Sequence, residues 1–424
     1  MRKFILPAFL LISVCAQAQI ISGIDSSDVI RIENTLAADD MQGRQVFTPG
    51  IEKAAAFIRG EFKKAGLQPL PGSQDYTQSF TMADPSSLDA TAVLDGISID
   101  KKNLIAFSAD SSLVITPADH YQKVFLKKAN DFVPVLFKYL DANQNVLIFV
   151  DTSLADKFKR LTRIHMPQFN GNGNRIFILS SADPQQYRIQ LKQKIKTQSL
   201  SNIVGILPGK TKPDEYVVFS AHYDHLGIGK PDASGDSVYN GANDDASGTT
   251  AVITLAKYFS KLNNNQRTII FVAFTAEEVG EFGSAYFSRQ LDPDKVVAMF
   301  NIEMIGTESK WGKNSAYLTG FDKSDMGTIL QKNLLNTQFK FYPDPYPEQM
   351  LFLRSDNATL AKKGVPAHSI STSKMDSEPY YHQPGDEVKT LDLSNMTQII
   401  QSIAISSGSI VAGNDTPRRV KKEE

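Results

Sequence analysis

The stretch TIIFVAFTAEEVGEFGS, Thr268–Ser284, sets two adjacent glutamates, Glu277 and Glu278, just beyond an unbroken apolar run. An apolar run of strand length without polar alternation reads as a strand covered on both faces. Its neighbours in the chain repeat the theme. YVVFSA (Tyr216–Ala221) and VVAMFNI (Val296–Ile302) are further strands, while residues 246–262 place Val252, Leu255, Ala256, Phe259 and Leu262 at a helical period and GSAYFSRQL reads as a short helix. Strand, helix, strand, helix, strand predicts an α/β fold, a mostly parallel mixed sheet sandwiched by helices. SAYLTGF, GTILQKNLLN, VPAHSIST and an amphipathic helix over 393–411 continue the series. GIEKAAAFIRGEFKKAGL, residues 50–67, is a helix that ends on a lysine pair and a glycine stop.

The chain has 424 residues with 42% hydrophobic content, enough for one large domain and a smaller one. Between about Gln78 and Leu200 the pattern changes. Runs such as NVLIFVD and RIFILSS lie among polar stretches without a repeated strand-helix unit, which predicts an inserted β-rich domain over 79–199 interrupting a main domain formed by 19–78 and 200–413. The polar end, 414–424, reads as a flexible tail. At the start, Arg2 and Lys3, an apolar stretch to Ala16 and the small residues Ala16 and Ala18 form a secretory leader over 1–18, which predicts a secreted or periplasmic protein. Cys15, the single cysteine, falls inside that leader, and the bulky Val14 before it argues against lipid anchoring. The mature chain therefore offers no thiolate ligand or cysteine nucleophile. Loss of Arg2 and Lys3 leaves 43 basic against 46 acidic residues, a net charge of −3, which provides no basic surface for nucleic acid. No later run is long enough for a membrane span.

In an open parallel sheet, ligands bind beyond the carboxyl ends of the strands. His222 follows the first of these strands, Glu277 and Glu278 the second, and Glu303 the third; Asp244 and Asp245 lie in the loop GANDDASG, and His382 in YYHQPGD. Singly, each has an ordinary reading: a surface turn for H-x-D, an N-cap for Asp-Asp, a solvated first turn for Glu-Glu. His225 and Asp245 fit either a structural or a functional role, and His120, His165 and His368 are read as structural or exposed. Together the carboxylates would repel one another unless a cation neutralises them. Histidine and carboxylate donors without sulfur suit zinc, with cobalt or manganese as alternatives, and the number of donors suggests two ions sharing a bridging carboxylate.

The ordered set HYDH, GANDDASG, TAEEVGEFGS, NIEMIG and YHQPGD resembles the di-zinc exopeptidase family that includes leucyl-type aminopeptidases, aminopeptidase Y and glutamate carboxypeptidase. The resemblance runs from Met41-Gln42-Gly43-Arg44 to the last helix, apart from the inserted domain, whose place suggests a protease-associated type. It implies two Zn²⁺ per chain, with His222 and Glu303 on one ion, Glu278 and His382 on the other, and Asp244 between them. It further implies Glu277 as the general base, Asp224 holding the His222 imidazole, and Tyr381, unless it is merely a packed aromatic, donating to the oxyanion. Family members commonly carry aspartate at the place of Glu303. The implied activity is an aminopeptidase acting on peptide substrates. Alternatives are glutaminyl cyclase, which shares the fold with a single zinc, a dipeptide or acidic-substrate carboxypeptidase, and a receptor-like module without catalysis; the complete ligand set argues against the last.

Overall fold

The computed structural model describes residues 23–422 apart from 141, 142, 163 and 165. The leader with Cys15, and His165, lie outside the described residues. The chain folds into two compact units, one formed by the part up to Gln78 and from Ser201 onward, the other by Ser79–Leu200.

In the first unit the strands run Lys340–Pro343, Ser315–Leu318, Ala367–Ser371, Val296–Ile302, Lys212–His222, Arg267–Phe274, and then residues 203–207 at the end of Tyr187–Leu207. The central pairings, Lys212–His222 with both Arg267–Phe274 and Val296–Ile302, and Val296–Ile302 with Ala367–Ser371, are parallel. Residues 203–207 and Ser315–Leu318 supply the antiparallel pairs that make the sheet mixed. Arg267–Phe274 is buried at every position, which is why its sequence carries no alternation. Alternate residues serve opposite faces. Val218, Ile270 and Met299 join a cluster with Phe287, Leu360 and Val365. Phe219, Phe271 and Phe300 point the other way, where the Phe219 ring stacks on Phe300 at 4.8 Å and on Phe259 of helix Ser247–Leu262 at 5.5 Å. Helices Ser26–Leu36 and Leu393–Val411 pack around that helix.

The end of the chain, expected to be a flexible tail, is packed as far as it is described. Val420 is buried in the cluster with Phe352 and Ala361, and the Arg419 guanidinium donates to the Val296 carbonyl. Arg267 explains the start of this docking. Its guanidinium is buried at the head of a central strand and needs acceptors, which Ile410, Asp415, Thr416 and Glu215 provide.

The second unit also corrects an expectation, because it does contain repeated strand-helix connections. Gln122–Leu126, Val146–Val150 and Arg175–Leu179 are parallel neighbours joined through helices Phe132–Leu140 and Ala155–Leu161, with Leu104–Phe107 antiparallel at the edge. The sequence FVPVLFKYL is apolar almost throughout and the second helix has only 7 residues, so neither displays a helical period. Leu147, Phe149, Ile176 and Ile178 fill one core of this unit, and Val146, Ile148, Val150 and Phe177 fill another. Among the described residues, no helix is long and apolar enough to cross a membrane.

Candidate metal centre

The carboxyl ends of the three central strands present His222, the Glu277–Glu278 turn and Glu303 to one place. Asp244 enters from the loop before helix Ser247–Leu262, and His382 from the loop before the last helix. The Asp244 carboxylate faces two ways: Oδ1 lies 3.2 Å from His222 Nε2, whereas Oδ2 lies 3.3 Å from His382 Nε2. Glu303 Oε1 is 3.3 Å from His222 Nε2, and Glu278 Oε2 is 3.1 Å from His382 Nε2. Two His/carboxylate groups thus share Asp244, His222 with Glu303 and His225 with Glu278, and His382 also faces Asp244 and Glu278.

The donors themselves test whether a cation fits. His222 Nδ1 is 3.1 Å from the Asp224 carbonyl oxygen, which can only accept, so Nδ1 carries the hydrogen. The neutral ring then points a bare Nε2 at two carboxylate oxygens. Burial works against charge on His222, yet Glu303, Glu277 and Asp244 outweigh it and hold the imidazole well above its ordinary range. His382 is raised to about 10 by the Asp244 and Glu278 carboxylates. Both clusters therefore draw in positive charge, and a divalent ion meets that demand while leaving each imidazole neutral.

Several residues hold this geometry. The Asp245 carboxylate accepts from the backbone N–H groups of His222 (3.3 Å), Gly248 (3.0 Å) and Met304 (3.0 Å), tying the ends of two strands to the start of a helix. A Cβ at Gly248 would collide with that carboxylate and with the Ile302 carbonyl, so the glycine of DDASG is required by close approach. Ser355 donates to Glu303 Oε2 at 2.7 Å and accepts from Asn301, which in turn accepts from Ser220 on the adjacent strand. Backbone in the left-handed region occurs at His382 itself, at Met304 next to Glu303, and at Ala276 at the start of the Glu277–Glu278 turn. Such conformations cost on the order of 1–3 kcal/mol each and persist where surrounding contacts fix them.

Asp224 acts differently from the expected carboxylate-histidine pair. Its Oδ1 lies 3.8 Å from His222 Nδ1, beyond hydrogen-bond range, and its backbone carbonyl makes that contact instead. The carboxylate accepts from the N–H groups of Glu277 (3.1 Å) and Glu278 (3.3 Å), fixing the turn on which both glutamates stand. Glu277 has no place in either donor cluster and lines the cleft. Burial, with Glu303 and Asp356 nearby, pushes its carboxyl well above the usual range. Tyr381 lines the same cleft, its ring stacked on His382 with centroids 3.9 Å apart. Burial and the surrounding carboxylates raise its phenol, which stays protonated and able to donate.

Three further residues contribute beyond those that the sequence pattern assigns. His225 is buried with Nδ1 2.7 Å from Glu278 Oε1, and it belongs to the donor group with Asp244 and Glu278. Its place in HYDH, three residues after His222, is the signal available in the sequence. Asp386, in the quoted YYHQPGD, accepts from the backbone N–H groups of Asn243 (2.8 Å) and Asp244 (3.0 Å). Arg44 is wholly buried and donates to the carbonyls of Leu36, Tyr223, Asn240 and Gly241, across as many as 197 positions of sequence. Nothing local to Arg44 reveals those partners. His368 is also buried, with Nδ1 on the Thr319 carbonyl and Nε2 on Ser324, and takes no part in the centre.

The protein is thus an α/β fold with a mixed sheet, at whose edge His/carboxylate groups that could hold a metal ion meet on Asp244. Residues 202–406 match the model of Peptidase family M28. Over 258 residues, 56% of this chain, it is 26% identical to aminopeptidase YwaD of Bacillus subtilis, and the match covers 51% of that relative. Over 136 residues, 32% of this chain, it is 31% identical to a probable zinc metalloprotease of Leptosphaeria maculans, covering 30% of it. The chain thus spans about half or less of the length of these curated relatives. An aminopeptidase from Aneurinibacillus sp. strain AM-1 has a similar fold at 17% identity and a TM-score of 0.55, covering 95% of this chain and 96% of that one. Glutaminyl cyclase of Bacteroides thetaiotaomicron also has a similar fold, at 12% identity and a TM-score of 0.50, covering 93% of this chain and 99% of that one. The fold alone therefore does not separate hydrolysis from cyclisation.

Proposed function

We infer that the chain is a zinc exopeptidase that removes N-terminal residues from peptides, exported by its 1–18 leader. The observation that carries this reading is the full donor set on both sides of Asp244, in a chain related to an aminopeptidase and to a probable zinc metalloprotease. His222 and Glu303 would hold one Zn²⁺, Glu278 and His382 the other, with Asp244 common to both and His225 supporting Glu278. Bound zinc would supply Lewis acidity toward water and the peptide carbonyl. Asp224, through the two N–H groups it accepts from, turns Glu278 toward the donors and leaves Glu277 free beside the cleft. Glu277, with its raised affinity for protons, takes one from the attacking water and returns it to the departing amine. Tyr381 donates to the oxygen on which charge develops.

The test separates the two glutamates. In Glu277→Gln, zinc content should stay near two per chain while turnover on leucine amide falls by roughly 10²–10⁴. In Glu278→Gln, zinc should be lost from one site, and added zinc should restore part of the activity. One zinc or none in the unmodified protein would remove the two-ion reading, and cyclisation of an N-terminal glutamine without amide hydrolysis would favour the cyclase.

A further inference from the structure

Arg354 lines the cleft that contains Glu277, Tyr381 and the metal donors. It is the one lysine or arginine among the described residues of that lining. Its side chain is exposed, and among the described residues its hydrogen-bond partner is Gln349 Oε1 at 3.3 Å. No described carboxylate pairs with it. Of the four acidic groups of the cleft, Asp244, Glu278 and Glu303 face imidazoles, and none of the four, Glu277 included, forms an ion pair with Arg354 among the described residues. The guanidinium, with five N–H donors and one weak partner, is left open to an incoming anion.

Position makes that anion part of a substrate. The next residue, Ser355, hydrogen-bonds Glu303 at 2.7 Å, so the Arg354 backbone is one residue away from a group touching a metal donor. The side chain lines the same cleft as Glu277, Glu303 and Tyr381, where a bound substrate would extend past the reacting bond. Resting on the exopeptidase reading above, we propose that Arg354 is a specificity-determining residue that binds a substrate carboxylate. The planar fork matches a carboxylate in bidentate fashion. Two substrate positions present one near the reacting bond: the free C-terminus of a dipeptide, and the side chain of an acidic N-terminal residue.

The experiment compares kcat/KM for leucyl-glycine against leucyl-glycinamide, and for glutamic acid α-amide against glutamine α-amide, in the zinc-loaded protein and in Arg354→Gln. The first pair reports a C-terminal carboxylate and the second a side-chain carboxylate. The acid of one pair should be preferred by about 10–100-fold, the scale of a charge-assisted hydrogen-bonded pair. Arg354→Gln should bring that ratio to about one, because its loss falls mainly on the acid, and Arg354→Lys should retain part of the preference. No preference within either pair, or a parallel loss on all four substrates in Arg354→Gln, overturns the proposal while leaving the exopeptidase reading intact. If the zinc-loaded protein hydrolyses none of the four, that reading falls and this inference with it.

Discussion

His222 and His382 face the two oxygens of the Asp244 carboxylate, yet they are held in opposite ways. His222 ends a central strand, is 1% exposed, and is fixed by Asp245 at its N–H, by Thr249 at its carbonyl and by Asp224 at its ring. His382 sits in a loop in the left-handed region, is 35% exposed, and apart from Asp244 and Glu278 is backed by the stacked Tyr381 ring. One half of the centre is built into the sheet and the other is closed over it by a loop. The difference concerns preorganisation: the strand-borne donor keeps its geometry without a cation, whereas the loop-borne donor depends more on what it binds.

The largest expected effect follows from removing each histidine. His222→Ala should weaken the ion on its own side by on the order of 10²–10³-fold, since a buried pair of carboxylates loses its nitrogen donor. In the unmodified protein the ion beside His382 should leave first as chelator is increased. Zinc content after graded dialysis, measured with His222→Ala and His382→Ala in parallel, checks both. Simultaneous loss of both ions would mean that the halves behave as a single unit.

A third buried histidine sharpens the contrast. Both nitrogens of His368 are satisfied by protein groups, and burial lowers its pKa to about 4. The folded protein keeps it neutral while the unfolded chain protonates it near the ordinary value of 6.5. Stability from this group is therefore complete above about pH 6.5 and is lost as pH falls toward 4, by up to about 3 kcal/mol. Unfolding of the zinc-free protein should show that loss between pH 7 and 4, and His368→Gln should remove most of it. An equal pH dependence in both proteins would contradict the assignment.

The smallest effect is expected at Glu303. Aspartate there would draw the carboxylate back by about one bond length, ~1.5 Å, and would strain its contacts with His222 Nε2 and Ser355. Glu303→Asp should keep the fold and change kcat/KM on leucine amide several-fold, with weaker zinc on the His222 side. Unchanged affinity and kinetics would show that ligand length is immaterial at this strand end.

Much of this architecture was legible because its signals are local. The apolar runs before His222, Glu277 and Glu303 specify strands, and strand ends in a parallel sheet specify where the next residue faces. Val296–Ile302 and Leu393–Val411 have the limits that periodicity assigns them. Other features were illegible because no local pattern encodes them. Docking of 414–422 depends on a buried Arg267 far earlier in the chain, and helix Phe132–Leu140 hides in an apolar run that has no polar face. Asp224 illustrates the limit within a motif, since spacing puts it beside His222 but cannot say whether its carboxylate or its carbonyl makes the contact.

Sequence by itself determined the donor types, their order and the sheet edge on which they meet, because residue chemistry and hydrophobic period are properties of short segments. Tertiary structure alone decided which groups hold those donors. Arg44 bonds to carbonyls at Tyr223, Asn240 and Gly241, Asp386 to N–H groups at Asn243 and Asp244, and Asp245 to N–H groups at His222, Gly248 and Met304. Backbone N–H and carbonyl groups are nearly the same at every residue, so the sequence carries no mark of which ones a buried charge will find; only the folded chain brings the pair together.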